Sequence, residues 1–208
     1  MRVLLVSPEN RASCRDHLEE MHRQRKRVFV DWLNWPLPVK GDQEFDRYDH
    51  DETYYLIALD EGGVQAGSLR MASTLAPSLI HDAFSHLFAD GPPAGPTVWE
   101  FNRLCCNRDL SQPSQHLARR VLQLCMMEAL YLMGVEEVAG VMTTLLLPGA
   151  VSAGWDLTVL GLPHWEGECE VVAFSVRVTP KGIARMRENW GISGPHLVIE
   201  PATLPRVA

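Results

Sequence analysis

Residues 114–133 constrain the fold more than any other segment. "SQHLARRVLQLCMMEALYLM" reads as a helix that is apolar nearly all round, and Gly134 stands where such a helix ends. A helix of that kind must be buried against a sheet. A membrane is not the alternative. The longest apolar runs, "VLLV" at the start and "LLLPGAV" near 145, fall far short of the roughly 20 residues of a spanning helix.

The sheet is written on both sides of that helix. Residues 3–6, "TYYLIALD" (53–60), "VQAGSLRMA" (64–72), "TVWEFNRLCC" (97–106), "EEVAGVM", "WDLTVLG" and "CEVVAFSVRV" are strand candidates. "DEGG" joins the second and third as a hairpin. In the last, Val172, Phe174, Val176 and Val178 alternate with Val171, Ala173, Ser175 and Arg177, which predicts a half-exposed strand. Apolar residues at Leu18, Met21, Val28, Phe29 and Trp32 predict a helix over 12–33, stopped by Pro36 and Pro38. A short helix is expected over 77–88. Pro148-Gly149 should interrupt a partly helical segment. Thr179-Pro180 should start a last helix that runs to about Trp190. The total is an α/β fold with a mixed sheet and helices on its faces, in one domain over 1–208.

Charge narrows the function. The chain carries 19 Lys+Arg against 26 Asp+Glu, a net charge of -7, which argues against coating nucleic acid. The N-terminal apolar run is too short for a secretory signal, so the expected compartment is the cytoplasm. Cys14, Cys105, Cys106, Cys125 and Cys169 show no zinc spacing and read as reduced thiols. The His residues show no metal-ligand spacing either, and no metal is expected. P-loop, G-x-G-x-x-G and G-x-S-x-G motifs are absent.

Four features could carry chemistry. Arg25 lies on the apolar stripe of its helix, between Met21 and Phe29, either snorkelling at the stripe edge or serving a site. The run "DQEFDRYDHDE" packs Glu44, Asp46, Asp49 and Asp51 near Trp32, Trp35, Phe45 and Tyr48. It is either a solvated acidic loop or a cation site. An EF-hand is rejected, because Tyr54 stands where that loop needs Gly. Arg70 interrupts the apolar strand "GSLRMA". Glu100 and Arg103 sit three apart in "WEFNR", so a regular strand would point them to opposite sides. If both serve one site, that strand carries a bulge; otherwise each is a strand-edge or salt-bridge residue.

Together these residues resemble the acyl-homoserine-lactone synthases, the LuxI-type autoinducer synthases of bacterial quorum sensing. "RQRKRVFVDWLNW" is similar to the family's R-x-x-x-F-x-x-x-L-x-W segment, with Arg25, Phe29 and Trp35. "EFDRYDHDETYYL" resembles its E-x-D-x-x-D stretch, with Glu44, Asp46 and Asp49. "GSLRM" matches G-x-x-R through Arg70, and "PSLIHDAFSHLF" resembles a segment ending in D-x-F-x-x-L. "WEFNRL" resembles W-E-x-x-R-F, with Glu100 and Arg103, and "SAGWDLTVLGLP" resembles an x-G-W segment. The resemblance runs from about residue 20 to 165. The family usually has Arg at Trp32, Gly at Asn34 and Phe at Leu104.

The resemblance implies a GNAT-like (acyl-CoA N-acyltransferase-like) fold with a splayed central strand. It implies that S-adenosylmethionine is acylated on its amine by a thioester on acyl carrier protein or coenzyme A. Closure to an N-acyl-homoserine lactone then expels methylthioadenosine. Glu100 would be the base, because the amine arrives protonated. Asp46, Asp49, Phe29 and Trp35 would favour the cation. Arg25, Arg70 and Arg103 would hold the substrate carboxylate or order the acidic loop. A backbone N–H near 101–104 would meet the oxyanion. Leu122, Met126, Val141 and Trp155 would line the acyl tunnel, or pack as core. No separate cofactor, no nucleic acid, no membrane insertion and a monomer are expected. The rivals are a GNAT-type enzyme acylating another amine, although "LSQPSQHLARR" lacks the Gly of a pyrophosphate loop, and a degenerate ligand-binding homologue.

Overall fold

The computed structural model describes residues 1–199. Along the chain come β1 (Arg2–Val6), α1 (Arg15–Arg25), β2 (Val39–Lys40), β3 (Gln43–Glu44), β4 (Tyr54–Leu59), β5 (Gln65–Ser73) and α2 (Leu79–Asp82). They are followed by β6 (Val98–Cys106), α3 (Gln112–Leu132), β7 (Glu137–Thr143), α4 (Leu147–Ser152) and β8 (Leu157–Val159). The last are β9 (His164–Glu166), β10 (Cys169–Arg177), α5 (Pro180–Trp190) and β11 (Leu197–Val198). The chain forms two compact units. Unit one holds Met1–Met71, Arg103–Met126 and 195–199; unit two holds Ala72–Asn102 and Met127–Gly194.

In unit one the strand order is β11-β1-β4-β5. β1 runs parallel to β11 and antiparallel to β4. The β4–β5 hairpin closes as its turn signal predicts, with Asp60 N–H donating to Val64 O at 2.9 Å. Val6, Cys14, Met21, Tyr55, Ile57 and Leu59 form one core cluster, which buries the apolar stripe of α1. Gly67 is required by close approach: a Cβ there would meet Cys105 O at 2.6 Å.

The expected 12–33 helix is α-helical only to Arg25. Lys26–Trp32 continue as a π-helix. Leu33 N–H reaches back five residues to Val28 O at 3.0 Å. Such widened turns gather at functional sites. Asn34 then adopts φ 55. After Gly, Asn is among the residues most tolerant of left-handed backbone.

In unit two β6 pairs in parallel with β7 over Val98–Glu100, against Glu137–Ala139. The ladder ends there. β7 continues antiparallel to β10, which takes β8 and β9 on its other side. Ile80, Leu87, Phe88, Ala139, Val171 and Ala173 pack together. Two expectations fail here. β10 is buried on both faces from Val171 to Val176, not half-exposed. It is an interior strand between β7 and its antiparallel partners, and Ala173 and Ser175 are small enough to be covered. Pro148 does not interrupt a helix but stands in the first turn of α4, where its missing N–H costs nothing. α5 starts as expected, with Thr179 Oγ1 accepting from Gly182 N–H at 3.0 Å, and ends at Gly191 with φ 62.

Candidate active site

The acidic loop of unit one is closed by three arginines. Arg25, on the last turn of α1, is 1% exposed, so it does not snorkel. It grips Asp49 with both Nη atoms, at 2.7 and 2.8 Å, and donates to Glu44 through Nε. Arg70, on β5, grips Asp46 at 2.5 and 3.0 Å and lies 3.0 Å from Asp49. Arg103, on β6, donates to Asp46 at 2.7 Å and to Glu44 at 3.3 Å. Tyr55 Oη donates to Asp49 at 2.8 Å. Asp46 N–H also donates to Asp49, at 2.9 Å. Three guanidinium groups thus face three carboxylates in a buried, neutral network.

Burial alone would oppose each of these charges. At Asp49 it is outweighed by Arg25 and then Arg70, and the carboxyl is held far below the usual carboxylate range. At Arg25 and Arg70 the carboxylates outweigh it, and both stay firmly charged. At Arg103 burial wins, and its pKa is lowered. Arg103 also sits at φ 55. β6 is therefore irregular at that residue, which breaks the alternation of a regular strand.

His22 is a member of this region that the sequence reading missed. Its ring stacks on Phe45, with centroids 3.6 Å apart. Its Nδ1 lies 2.9 Å from Glu44 O, so the proton belongs on Nδ1. Burial, then the charge of Arg25, pulls its pKa down to about 4. Its helical spacing of three from Arg25 was the available signal. Phe29 stacks on Trp35 at 5.1 Å; Phe29 is buried with Arg103 over its ring at 5.7 Å, and Trp35, 41% exposed, is the open member of the aromatic shelf. Arg108 covers Trp32 at 3.3 Å. The 3.3 Å approach brings a guanidinium over the residue that stands where the family usually has Arg.

In unit two, Glu100 is fully buried. Its carboxylate accepts from Ser78 Oγ at 2.7 Å, Leu79 N–H at 3.0 Å, Ile80 N–H at 3.0 Å and Asn102 Nδ2 at 3.1 Å. It therefore caps the start of α2. Ser78 Oγ is in turn 2.9 Å from His81 Nδ1, so carboxylate, hydroxyl and imidazole form a chain. Neither Ser78 nor His81 was singled out by sequence, because their link to Glu100 spans 22 residues and exists only in the fold.

The expected acyl residues belong to both units. Leu122 and Met126 are fully buried on α3 in unit one. Val141 is half-buried on β7 in unit two. Trp155 packs with Phe101 at 6.1 Å and with Phe174 at 6.1 Å, and its buried Nε1 has no hydrogen-bond partner.

The family model of the autoinducer synthases matches residues 10–185. The chain belongs to the autoinducer synthase family. This synthase is thereby an acyltransferase. It is 35% identical over 189 residues to the isovaleryl-homoserine lactone synthase of Bradyrhizobium diazoefficiens, covering 90% of this chain and 84% of that protein. A solved structure of BjaI, a CoA-dependent acyl-homoserine lactone synthase with SAM and isopentyl-CoA, superposes with a TM-score of 0.86 at 30% identity. That match covers 95% of this chain and 92% of the other. An acyl-CoA N-acyltransferase from Pseudomonas aeruginosa shares the fold at a TM-score of 0.56 and 16% identity, covering 84% and 99%. The expected GNAT-like mixed fold is therefore the observed one.

Proposed function

We propose that this autoinducer synthase makes an N-acyl-L-homoserine lactone from S-adenosylmethionine and a short, branched acyl-coenzyme A, releasing coenzyme A and methylthioadenosine. The observation that carries the reading is the closed network of Arg25, Arg70, Arg103, Glu44, Asp46 and Asp49. These residues are scattered from 25 to 103, carry the motifs of the family, and assemble into one buried cluster.

The chemistry distributes over this chain as follows. The amine of S-adenosylmethionine attacks the thioester carbonyl carbon. An amide forms, and the thiol leaves with a proton. A carboxylate oxygen then attacks the γ-carbon, the C–S bond breaks, and the sulfonium's positive charge is discharged in neutral methylthioadenosine. Glu100 takes the amine proton. Its oxygens already accept four hydrogen bonds, so it works through a water, while Ser78, which donates to it, and His81, which donates to Ser78, hold it in place. The three arginines order the acidic loop rather than await a carboxylate, since each is already bound to Glu44, Asp46 or Asp49. The cation then rests on the Phe29–Trp35 shelf.

Coenzyme A is favoured as donor over an acyl carrier protein. The relatives named above include a CoA-dependent enzyme solved with an acyl-coenzyme A. A short acyl group suits unit two, where Phe101, Trp155 and Phe174 fill the space beside one another. The chain works as a cytoplasmic monomer, and no helix among the described residues is long and apolar enough to cross a membrane.

Purified protein should be mixed with S-adenosylmethionine and either isovaleryl-coenzyme A or isovaleryl carrier protein, and methylthioadenosine measured. Release with the coenzyme A ester supports the proposal. Release with the carrier protein alone overturns the donor and leaves the synthase. No release with any of a panel of acyl donors overturns the synthase reading.

A further inference from the structure

A second cluster of ligating side chains lies in unit two, made of residues not assigned above. His86 stands in a 3-10 turn (Ser85–Leu87), and His164 and Glu166 stand two apart on β9. Residues two apart on a strand project to the same face. His86 Nε2 lies 2.6 Å from Glu166 Oε1. The two imidazoles meet edge to face, with centroids 5.5 Å apart. One ligand atom from each of the three residues lies within 4.8 Å of the others.

We propose that His86, His164 and Glu166 form a binding site for a divalent transition cation of the zinc class. Two imidazoles and a carboxylate are the donor set such ions take when a fourth position is left to water. An ion about 2.0–2.1 Å from each donor needs ligand atoms roughly 3.3 Å apart. The His86–Glu166 pair, now 2.6 Å apart, has to open, and His164 adjusts within the 4.8 Å that bounds the three ligand atoms. Both are rotamer changes in exposed or partly exposed side chains. Mg²⁺ and Ca²⁺ are poor occupants, because they take oxygen ligands.

The scaffold holds the two halves of the site in place. Ala89 N–H donates to Leu160 O at 2.8 Å, which ties the His86 turn to the segment leading into β9. Gly161 comes so close to that turn that a Cβ would lie 1.9 Å from Leu87 O. β9 itself is fixed against β10, with Glu166 opposite Cys169 and His164 opposite Val171. The ligands are separated by 80 residues between His86 and Glu166, so no ligand spacing exists in the sequence to reveal them. The other acidic group, Glu44, Asp46 and Asp49, is a weaker candidate because three arginines already neutralise it.

The test is calorimetric titration of the full chain with zinc chloride in a non-chelating buffer. A Cys169→Ser background removes the exposed thiol opposite Glu166. One ion per chain is expected, with no heat from magnesium chloride. His86→Ala and His164→Ala should each weaken binding at least about tenfold, as should Glu166→Gln, which keeps the shape of the side chain. Circular dichroism checks that each variant is folded. Absence of zinc binding in the background chain overturns the proposal. So does zinc affinity unchanged in His86→Ala or His164→Ala.

Discussion

Lowering the pH from about 7 to about 5 should remove roughly 2 kcal/mol of folding stability through His22 alone. The cause is geometric. The ring is buried against Phe45, its Nδ1–H is given to Glu44 O, and Arg25 lies within one helical turn. A second positive charge there is disfavoured, so the folded-state pKa is about 4 against an ordinary 6.5. The folded value is the lower one. As pH falls, the unfolded chain takes up the proton first, and stability is lost between about 6.5 and 4. The gap bounds the effect at about 3.4 kcal/mol, at about 1.36 kcal/mol per pH unit. Near pH 5 the unfolded state is almost fully protonated and the folded state about one-tenth so, which leaves roughly 2 kcal/mol. Urea unfolding at both pH values, on the wild type and on His22→Asn, isolates this residue from the other histidines. The wild type should lose about 2 kcal/mol more than the variant. Equal losses in the two proteins would refute the reasoning.

Removing one arginine from the network should be costly in a defined order, read by the same unfolding assay. Arg25→Gln leaves Glu44 only the longer contacts to Arg103 and should cost about 3–5 kcal/mol; Arg103→Gln should cost less, because Arg25 and Arg70 remain bound to all three carboxylates. Glu100→Gln should abolish most methylthioadenosine release and lower stability by only about 0.5–2 kcal/mol, since the amide oxygen still caps part of α2. Ser78→Ala should lower kcat and kcat/KM together, because Ser78 orients Glu100; steady-state kinetics showing only a raised KM would refute that role. Gly161→Ala should destabilise the protein by about 1–3 kcal/mol, as thermal unfolding would show, because the new Cβ lands on the Leu87 carbonyl.

Elements with long, clean periodicity were legible in the sequence. The 112–132 helix, the β4–β5 hairpin and the Thr179 cap were all expected within a few residues. What escaped depends on neighbours. β10 reads as half-exposed until β7 and β8 are placed on either side of it. A proline reads as a helix breaker until the helix start is known. The short β9 carries no apolar alternation at all. In the site, the odd positions of Arg25, Arg70 and Arg103 were visible as charges on apolar elements. Their partners were not, because each ion pair joins residues 19 to 59 apart. The same holds for Glu100: its carboxylate reads as a catalytic group or an arginine's partner, and only the fold supplies Ser78 and the amides of Leu79 and Ile80.

Arg103 answers to two demands that no single residue type meets comfortably. Its backbone, at φ 55, favours glycine or asparagine. Its side chain, forked between Glu44 and Asp46, needs a guanidinium. Lysine fails the second demand and strains the first, and glycine and asparagine fail the second outright. Neither exchange is free: a residue that relaxes the strand leaves Glu44 to Arg25 alone and Asp46 to Arg70 alone, and one that keeps the charge keeps the strain. Position 103 is thus held by a conflict between backbone and side chain rather than by a fit to both.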